Sequence, residues 1–319
     1  MSGSPFAADP ARAARVAELS ARHGNAVAEA LSEAARSGKE ALVTNSGGVV
    51  SAADAADIAS RFALEDVEEV MLVGLAAARA FAFPPISDFH VGAIGREAGT
   101  GDLILGGNME FAGTHLGTTV HGEGFVFSRA FSRGQRIDTI ALGEAHPCGH
   151  CRQYLSEFAG ADQLKLIDLL GHRLDLAQLY PWPFDTAYLG EPGAVAGRVN
   201  WRDLRFVEEA LDDLSDVLLE TGRRAHAPYS KCPAAVVLDL ADGARVAGAT
   251  IESVAFNPTM PPLQAALIDV RAHGYAPDAI VAATLGATRG GAVDHVPGTE
   301  ALLATVAPGV TLTVRAWEV

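Results

Sequence analysis

His121-Gly122-Glu123 and Pro147-Cys148-Gly149-His150-Cys151 are the stretches that decide the fold and the chemistry of this chain. Cys148 and Cys151 are three residues apart, so on the first turn of a helix they share a face and can grip one metal ion. His121 and Glu123 are two apart and do not share a face, which suits an imidazole ligand and a carboxylate with a different task. Three protein ligands leave the fourth tetrahedral position of zinc open, as in catalytic rather than structural sites.

The cysteine pair alone would leave other interpretations open. A C-x-x-C run also occurs in thioredoxin-like disulfide exchangers and in structural four-cysteine zinc sites. The chain has only three cysteines, which excludes a four-cysteine site within it, and Cys232 is interpreted as an ordinary buried thiol. No aromatic residue directly precedes the pair, and a redox role would leave the upstream His-x-Glu without a purpose. Together the two motifs match the H-x-E…P-C-x-x-C signature of the zinc deaminases.

Further motifs surround these two in a fixed order. They are Pro85–Ile94, Gly107–Phe111, Thr119–Glu123, Pro147–Gln153, Ala227–Lys231 and Ala255–Gln264. In this order they resemble the cytidine deaminase family, specifically its dimeric, two-domain bacterial and plant type. The resemblance runs from about residue 66 to the C-terminus, and its last two motifs look like the family's second, non-catalytic domain.

The resemblance implies a role for each matching residue. It implies one zinc ion per chain, no organic cofactor, and a proton-shuttling carboxylate. The implied zinc ligands are His121, Cys148 and Cys151, and the implied shuttle is Glu123. The implied substrate contacts are Asn108 and Glu110 to the ribose hydroxyls, Phe89 to the pyrimidine ring, the Gly122 N–H to the 2-oxo group and the Thr119 carbonyl to the amino group. Taken without the resemblance, Phe89 could be a core aromatic and Glu110 a solvated strand-end charge.

The implied activity is hydrolytic deamination of cytidine or deoxycytidine, with release of ammonia. One alternative is a deaminase for a modified or different aminated nucleoside, and another is a non-catalytic zinc module that binds a nucleoside or a partner. The chain departs from the family pattern at Asp88, where asparagine is usual, at Gly122, where alanine is usual, and at Gly124, where glutamine is common. We interpret Gly122 as leaving extra room, which puts the base preference in question.

Composition narrows the class of partner. The net charge is −15, with 49% hydrophobic and 20% charged residues, which is a globular balance. The acidic charge disfavours a nucleic-acid polymer, whereas a free nucleoside carries no phosphate. Residues 1–6 lack the pattern of a signal peptide, and no run approaches twenty apolar residues, so we expect no membrane association. Few cysteines favour the cytoplasm, and the resemblance implies a homodimer.

Periodicity predicts an α/β fold with a mixed sheet, helices on both faces, and a duplicated core behind a small helical N-terminal region. The resemblance implies that this sheet is cytidine-deaminase-like. We divide the chain into residues 1–65 (helical), 66–188 (catalytic) and 189–319 (linker and non-catalytic domain), with 180–197 as the linker. The predicted helices are 9–37 (one or two), 51–62, 65–82, 202–223 and 262–273, with two more opening at the metal motifs. The predicted strands are 90–95, 102–107, 138–143, 164–170, 234–240, 245–250, 279–284 and 310–316.

An internal repeat is visible at residue level. Asn108-Met109-Glu110 aligns with Thr250-Ile251-Glu252 at an offset of 142 residues, which sets Leu263 opposite His121 and Ala265 opposite Glu123. The second half is therefore expected to keep the fold and to have lost the zinc chemistry. The resemblance implies that it mimics a second subunit, with Phe256 reaching a partner's pocket. Alternatively, it merely buries the exposed face of the core. His150 is interpreted as a helix-surface or hydrogen-bonding residue rather than a fourth ligand, and His90, His115 and His146 are left without a role.

Overall fold

The computed structural model describes residues 6–37, 47–143, 146–208 and 212–319. Within these ranges the helices are α1 (Pro10–Ser37), α2 (Ala52–Arg61), α3 (Val67–Val73), α4 (Leu75–Arg79), α5 (Gly122–Ser132), α6 (Gly149–Leu155), α7 (Leu176–Leu179), α8 (Asp213–Arg224), α9 (Pro262–Ala272) and α10 (Val296–Val306). The strands are β1 (Val49–Val50), β2 (Gly92–Glu97), β3 (Leu103–Gly107), β4 (Ile137–Leu142), β5 (Lys165–Asp168), β6 (Arg173–Asp175), β7 (Arg205–Phe206), β8 (Ala234–Leu240), β9 (Arg245–Ala249), β10 (Ile280–Thr288) and β11 (Leu312–Glu318).

The first sheet has the order β1-β3-β2-β4-β5-β6. Strands β4 and β5 run parallel, with Leu142 opposite Asp168, and the other pairs are antiparallel. Helix α5 packs on β2 and β3 from one side, and α4 packs on the same strands within the core formed with the N-terminal helices. This mixed sheet between two helical layers is the predicted one, and the parallel pair sets the carboxyl ends of β4 and β5 at one edge.

The second sheet repeats the first. Its order is β7-β11-β10-β8-β9, and its one parallel pair among the described strands is β10 with β11. Read from the other end, the order β9-β8-β10-β11-β7 reproduces β3-β2-β4-β5-β6, including the place of the parallel pair. Helices α8 and α9 both contact β8 and β9. The predicted duplication is therefore confirmed at the level of strand order and direction.

The two halves share one hydrophobic core. It includes Phe125 of α5 and Leu267 of α9, two helices that pack against each other. Beside it the fully buried Arg129 forms an ion pair with Asp269 across the halves, with Nη1 and Oδ1 2.5 Å apart, and donates to the carbonyl of Gly47. A guanidinium shielded from water is tolerated only when it is paired in this way. The halves therefore pack as one body.

The N-terminal helices pack on the first sheet. Val27 and Leu31 of α1 share a core with Ile94 and Leu105 of the sheet, and β1 adds an edge strand beside β3. Nowhere in the described ranges is a helix both apolar enough and long enough to cross a membrane. The expectation drawn from residues 1–6 falls almost entirely outside the described residues, which begin at Phe6.

Two predicted helices were wrong in part. The helix predicted over 65–82 is interrupted at Gly74, where an added Cβ would lie 2.1 Å from Leu31 Cδ1, so close packing with α1 requires glycine there. The helix predicted over 202–223 begins only at Asp213, capped by Asp212, whose carboxylate accepts from the Ser215 N–H. Before it lies the short strand β7, and residues 209–211 lie outside the described ranges. Strands β1 and β6 and helix α10 were not predicted.

The alignment of the repeats also needs a correction. Met109 bridges Val120 in the first half and Ile251 bridges Met260 in the second, so the connecting loop is two residues shorter in the second half. Helix α5 begins after His121 and α9 after Pro261. Pro261, not Leu263, is therefore the counterpart of His121, and Leu263, not Ala265, the counterpart of Glu123. The conclusion that the second half lacks these ligands is unchanged.

Candidate active site

A short backbone bridge assembles the candidate site. The N–H of Met109 donates to the carbonyl of Val120 at 2.7 Å, and the N–H of Val120 donates back at 2.9 Å. Because Asn108 and Glu110 flank Met109 while Thr119 and His121 flank Val120, the bridge sets these four residues side by side. Glu110 lies near enough to His121 for each charge to influence the pKa of the other.

The three predicted metal ligands meet at two helix starts. His121 is the N-cap of α5 and Cys148 is the N-cap of α6, whose first turn carries Cys151. Nδ1 of His121 lies 3.6 Å from Sγ of Cys148 and 3.3 Å from Sγ of Cys151, and the three ligand atoms lie within 4.8 Å of one another. Tetrahedral zinc at ordinary bond lengths would set nitrogen and sulfur about 3.6 Å apart. The donor types and their spacing therefore fit zinc.

The electrostatics favour a thiolate at this cluster. Hydrogen bonds from Cys151 and then from His121 lower the pKa of Cys148 to about 3. The hydrogen bond to Cys148, followed by burial, raises the pKa of Cys151, so the two sulfurs share one proton. A bound dication would replace that proton and stabilise both thiolates.

Glu123 lies in the first turn of α5 and is 5% exposed. Burial is the main cause that raises the pKa of this carboxyl. It interacts with the Cys151 thiol and with the charge of His121, so it borders the cluster. A buried carboxyl beside an open metal position is the arrangement expected of a proton carrier.

Asn108 and Glu110 hold the segment that carries Phe89. Oδ1 of Asn108 accepts from the Val91 N–H and Nδ2 donates to the Phe89 carbonyl, both at 2.9 Å. Glu110 accepts from the N–H groups of residues 86 and 87 at 2.9 Å and from the hydroxyl of Ser87. Each side chain retains capacity for a ligand, since an amide has two N–H groups and a carboxylate about four lone-pair sites. Phe89 itself is 52% exposed and is not a core aromatic.

The second half repeats this arrangement without the ligands. Glu252 accepts from the N–H groups of residues 229 and 230 and from the hydroxyl of Ser230, as Glu110 does with its own loop. Asp88 and Lys231, at matching places in the two loops, both have a left-handed φ, +54° and +58°. Aspartate tolerates this conformation, as the usual asparagine does, so the replacement at position 88 keeps the turn.

The structure does not show the extra room that we expected at Gly122. A Cβ built there would lie 3.1 Å from Cβ of Ala93 and would point at strand β2. At Gly124 a Cβ would lie 3.3 Å from Cε of Met260, in the second half of the chain. Position 124, unlike position 122, lines a cavity, so a side chain there would face it.

That cavity, of about 540 Å³, lies between the two halves and reaches His121 and Cys151. Its second-half wall is formed by residues 256–262, 264, 294, 295, 298 and 299. Phe256 lines it, whereas Glu123, Phe89, Asn108 and Glu110 do not. Thr119, which is also a predicted nucleoside contact, does line it, so the cavity and the predicted nucleoside site meet at Thr119 and His121. Nε2 of His150 lies 3.3 Å from the carbonyl of Asn257, so His150 contacts the second half rather than the ligands.

Sequence reasoning missed the residue that joins α6 to the cavity wall. Glu157, fully buried just after α6, accepts from His226 Nε2, from the Tyr229 hydroxyl and from the Val254 N–H, each at 2.7 Å. Val254 leads directly into residues 256–262. The motif Ala255–Gln264 marked this stretch in the sequence, but the carboxylate that anchors it carries no motif of its own.

Comparisons with known proteins agree with this geometry. The family described as the cytidine and deoxycytidylate deaminase zinc-binding region matches twice, at residues 64–165 and 198–300. A cytidine deaminase of Vibrio atlanticus (strain LGP32) is 35% identical over 250 residues, which cover 78% of this chain and 83% of that protein. A cytidine deaminase of Vibrio parahaemolyticus is 36% identical over 244 residues, covering 76% and 81%.

A solved structure of a mutant cytidine deaminase from Mycobacterium tuberculosis is similar over 34% of this chain and 91% of its own, at 28% identity and a TM-score of 0.31. The repeated family match and the extent of the similarity to the Vibrio proteins settle the assignment. This chain belongs to the cytidine deaminase family.

Proposed function

We propose that this chain is a zinc-dependent hydrolase that converts cytidine and deoxycytidine to the corresponding uridines and ammonia. The observation that carries the proposal is the convergence of one imidazole and two thiols on a single point, with the buried carboxyl of Glu123 beside them. Membership of the family supports the same reaction. A structural zinc site would have no use for that carboxyl.

His121, Cys148 and Cys151 would hold the zinc ion. When bound, zinc lowers the pKa of water toward about 7 and so supplies hydroxide at neutral pH. Three protein ligands leave a fourth position open, and His150 leaves it open because its ring faces the Asn257 carbonyl.

Glu123 would move the protons of the reaction. Its carboxylate accepts a proton from the attacking water and delivers it to N3 of the cytosine ring, which makes C4 more electrophilic. It then takes the remaining proton from the hydroxyl added at C4 and passes it to the amino group, so that the C4–N bond breaks, ammonia leaves and the C4 carbonyl of uridine forms. Water and cytidine are consumed, uridine and ammonia are formed, and Glu123 returns to its starting state. Its burial excludes bulk water from this exchange.

The residues around the bridge would orient the nucleoside. Asn108 and Glu110 are proposed to bind the ribose hydroxyls, and Phe89 to pack on the pyrimidine ring. The N–H of Gly122 would meet the 2-oxo group, and the Thr119 carbonyl the amino group. Two observations support this. The Met109–Val120 bridge sets Asn108, Glu110 and Thr119 beside His121. The side chains of Asn108 and Glu110 hold the segment that carries Phe89.

A panel of nucleosides tests the proposal. Zinc-loaded protein is incubated with cytidine, deoxycytidine, adenosine and base-modified cytidines, and ammonia is measured with the product identified by chromatography. We expect stoichiometric ammonia and uridine from the first two substrates. Ammonia released from another aminated base alone would favour the alternative substrate class, and no release from any of them would favour a binding module.

We propose further that the chain works as a homodimer in the cytoplasm. The exposed Phe89, and Phe256 at 63% exposure, supply apolar surface that a second copy would cover. Reduced thiols, which a cysteine-ligated zinc requires, suit that compartment. We retain 1–65, 66–188 and 189–319 as the functional division. Light scattering on the purified protein tests the dimer, and a monomer at micromolar concentration would contradict it.

A further inference from the structure

A second cluster of metal-binding side chains lies outside the candidate zinc ligands. Asp168 ends β5, at the sheet edge where the parallel strand β4 also ends. His146 lies in the connection from β4 to α6, and His172 in the turn between β5 and β6. The ligand atoms of these three residues lie within 4.8 Å of one another.

The cluster converges on a single oxygen. Oδ2 of Asp168 lies 2.7 Å from Nδ1 of His172 and 2.8 Å from Nε2 of His146. The two imidazole rings are 5.6 Å apart and inclined at 68°, so their nitrogens approach that oxygen from different directions. Two side-chain nitrogens thus lie against one carboxylate oxygen, close enough together for a single ion to bind all three.

The other oxygen of Asp168 fixes the orientation of the carboxylate. Oδ1 accepts from the N–H of Leu170 at 2.9 Å and from the N–H of His172 at 3.0 Å. Such hydrogen bonds commonly orient a metal ligand. The side chain of His146 is 47% exposed, whereas those of Asp168 and His172 are 10% and 17% exposed. One side of the cluster is therefore open to water, which could complete a coordination shell.

The spacing suits an octahedral ion. With metal–ligand distances of about 2.1 Å, adjacent ligand atoms lie about 3.0 Å apart around an octahedral ion and about 3.4 Å apart around a tetrahedral ion. The separations of 2.7 and 2.8 Å are hydrogen bonds here, and they would have to lengthen by only a few tenths of an ångström to reach the octahedral value. Two histidines and one carboxylate with open positions are the ligand set of non-haem Fe²⁺ sites, and imidazole suits zinc, copper, iron and nickel.

We propose that His146, Asp168 and His172 form a second metal site, which takes an octahedral first-row divalent ion with water in the remaining positions. The ion replaces the protons that bridge the imidazoles and the carboxylate. It ties the connection that leads to Cys148 to the β5–β6 turn, so it fixes the entry to α6 without touching the nucleoside. The site is independent of the deaminase reaction and is weaker than the cysteine-containing site, because it has no thiolate.

The test uses Ni²⁺ as the probe on full-length, untagged protein that carries one equivalent of zinc. Equilibrium dialysis with metal analysis gives the nickel bound per chain and the zinc retained. The variants are His146→Ala, His172→Ala and Asp168→Asn, and the matched control is His23→Ala, a histidine of α1 beside Phe62. Wild type and His23→Ala should bind one nickel saturably, and each cluster variant should bind it at least about tenfold more weakly. Nickel should also raise the thermal midpoint of wild type but not of these variants.

Nickel uptake that is equal in wild type and His172→Ala, or absent from both, would overturn the proposal. If a variant fails to fold, the wild-type protein alone still decides, because paramagnetic Ni²⁺ must broaden the NMR signals of the His146 and His172 imidazoles before those of other histidines. The zinc content and uridine formation of each variant are measured in parallel. If the wild-type protein binds nickel but forms no uridine, the proposed deaminase activity is contradicted and this metal site is not. If it forms uridine but binds no nickel, only this metal site is contradicted.

Discussion

Replacing Glu157 with glutamine should destabilise the contact between the two halves of the chain. The carboxylate is fully buried and accepts from His226, Tyr229 and the Val254 N–H. Glutamine has nearly the same shape but only one acceptor oxygen. If that oxygen keeps the bonds from His226 and Tyr229, its amide N–H faces the Val254 N–H, and two donors oppose each other.

The size of the effect follows from these three bonds. An unsatisfied buried N–H costs about 1–3 kcal/mol, and two bonds that lose a charged acceptor weaken by about 1 kcal/mol each. The expected loss is therefore about 3–5 kcal/mol, which is also the range for breaking a buried ion pair. For a chain of 319 residues, with an unfolding entropy of about 2.1 cal/mol/K per residue, that corresponds to a fall of the thermal midpoint of about 4–8 °C.

The assay is thermal unfolding at saturating zinc, with Glu220→Gln as the control. Glu220 pairs with Arg224 on the exposed face of α8, so its replacement should change stability by less than about 0.5 kcal/mol. Because Val254 leads into the cavity wall, Glu157→Gln should also raise KM for cytidine more than it lowers kcat. A Glu157→Gln midpoint equal to that of Glu220→Gln would refute the reasoning.

Three further predictions follow from the site. Gly122→Ala sets a methyl 3.1 Å from Cβ of Ala93, and this tight contact opposes a helix-propensity gain of roughly 0.5–1 kcal/mol. The free energy of unfolding should therefore change by less than about 1 kcal/mol. A selective loss of turnover on base-modified cytidines would contradict this prediction. Gly124→Ala points a methyl at Met260 and should raise KM for cytidine in steady-state kinetics, whereas an unchanged KM would remove the cavity from the substrate's path. Cys151→Ala should lower zinc content and deamination together, and full activity after complete chelation would disprove the role of the metal.

Local sequence patterns predicted most of the elements that frame the site. The strands β2, β3 and β4 lie within two residues of their predicted ends, since each is a short apolar run. The helix that starts at Gly122 was predicted because the His121-Gly122-Glu123 motif was expected to open a helix. In contrast, the break at Gly74 depends on contact with Leu31, which is distant in sequence. A pattern read along one segment contains no information on that contact.

The same distinction applies to the site. Cys148 and Cys151 were predicted because their spacing fixes their geometry within one helical turn. The cavity between the halves was not, since it forms only when Met260 and the residues around it pack against α5. The incorrect pairing of His121 with Leu263 has a similar origin, because a loop shortened by two residues leaves no mark in an ungapped comparison of the repeats. The nucleoside contacts at Phe89, Asn108 and Glu110 stay a prediction.

The most direct measurement of the central claim compares wild type with Glu123→Gln, with zinc content and uridine formation from cytidine measured on the same samples. Glu123 lies beside the three ligands and is not one of them, so the variant should keep one zinc per chain. Its turnover should fall by at least the roughly 10²–10⁴-fold typical of a lost general acid–base group. Near-normal formation of uridine by Glu123→Gln with its zinc retained would contradict the account.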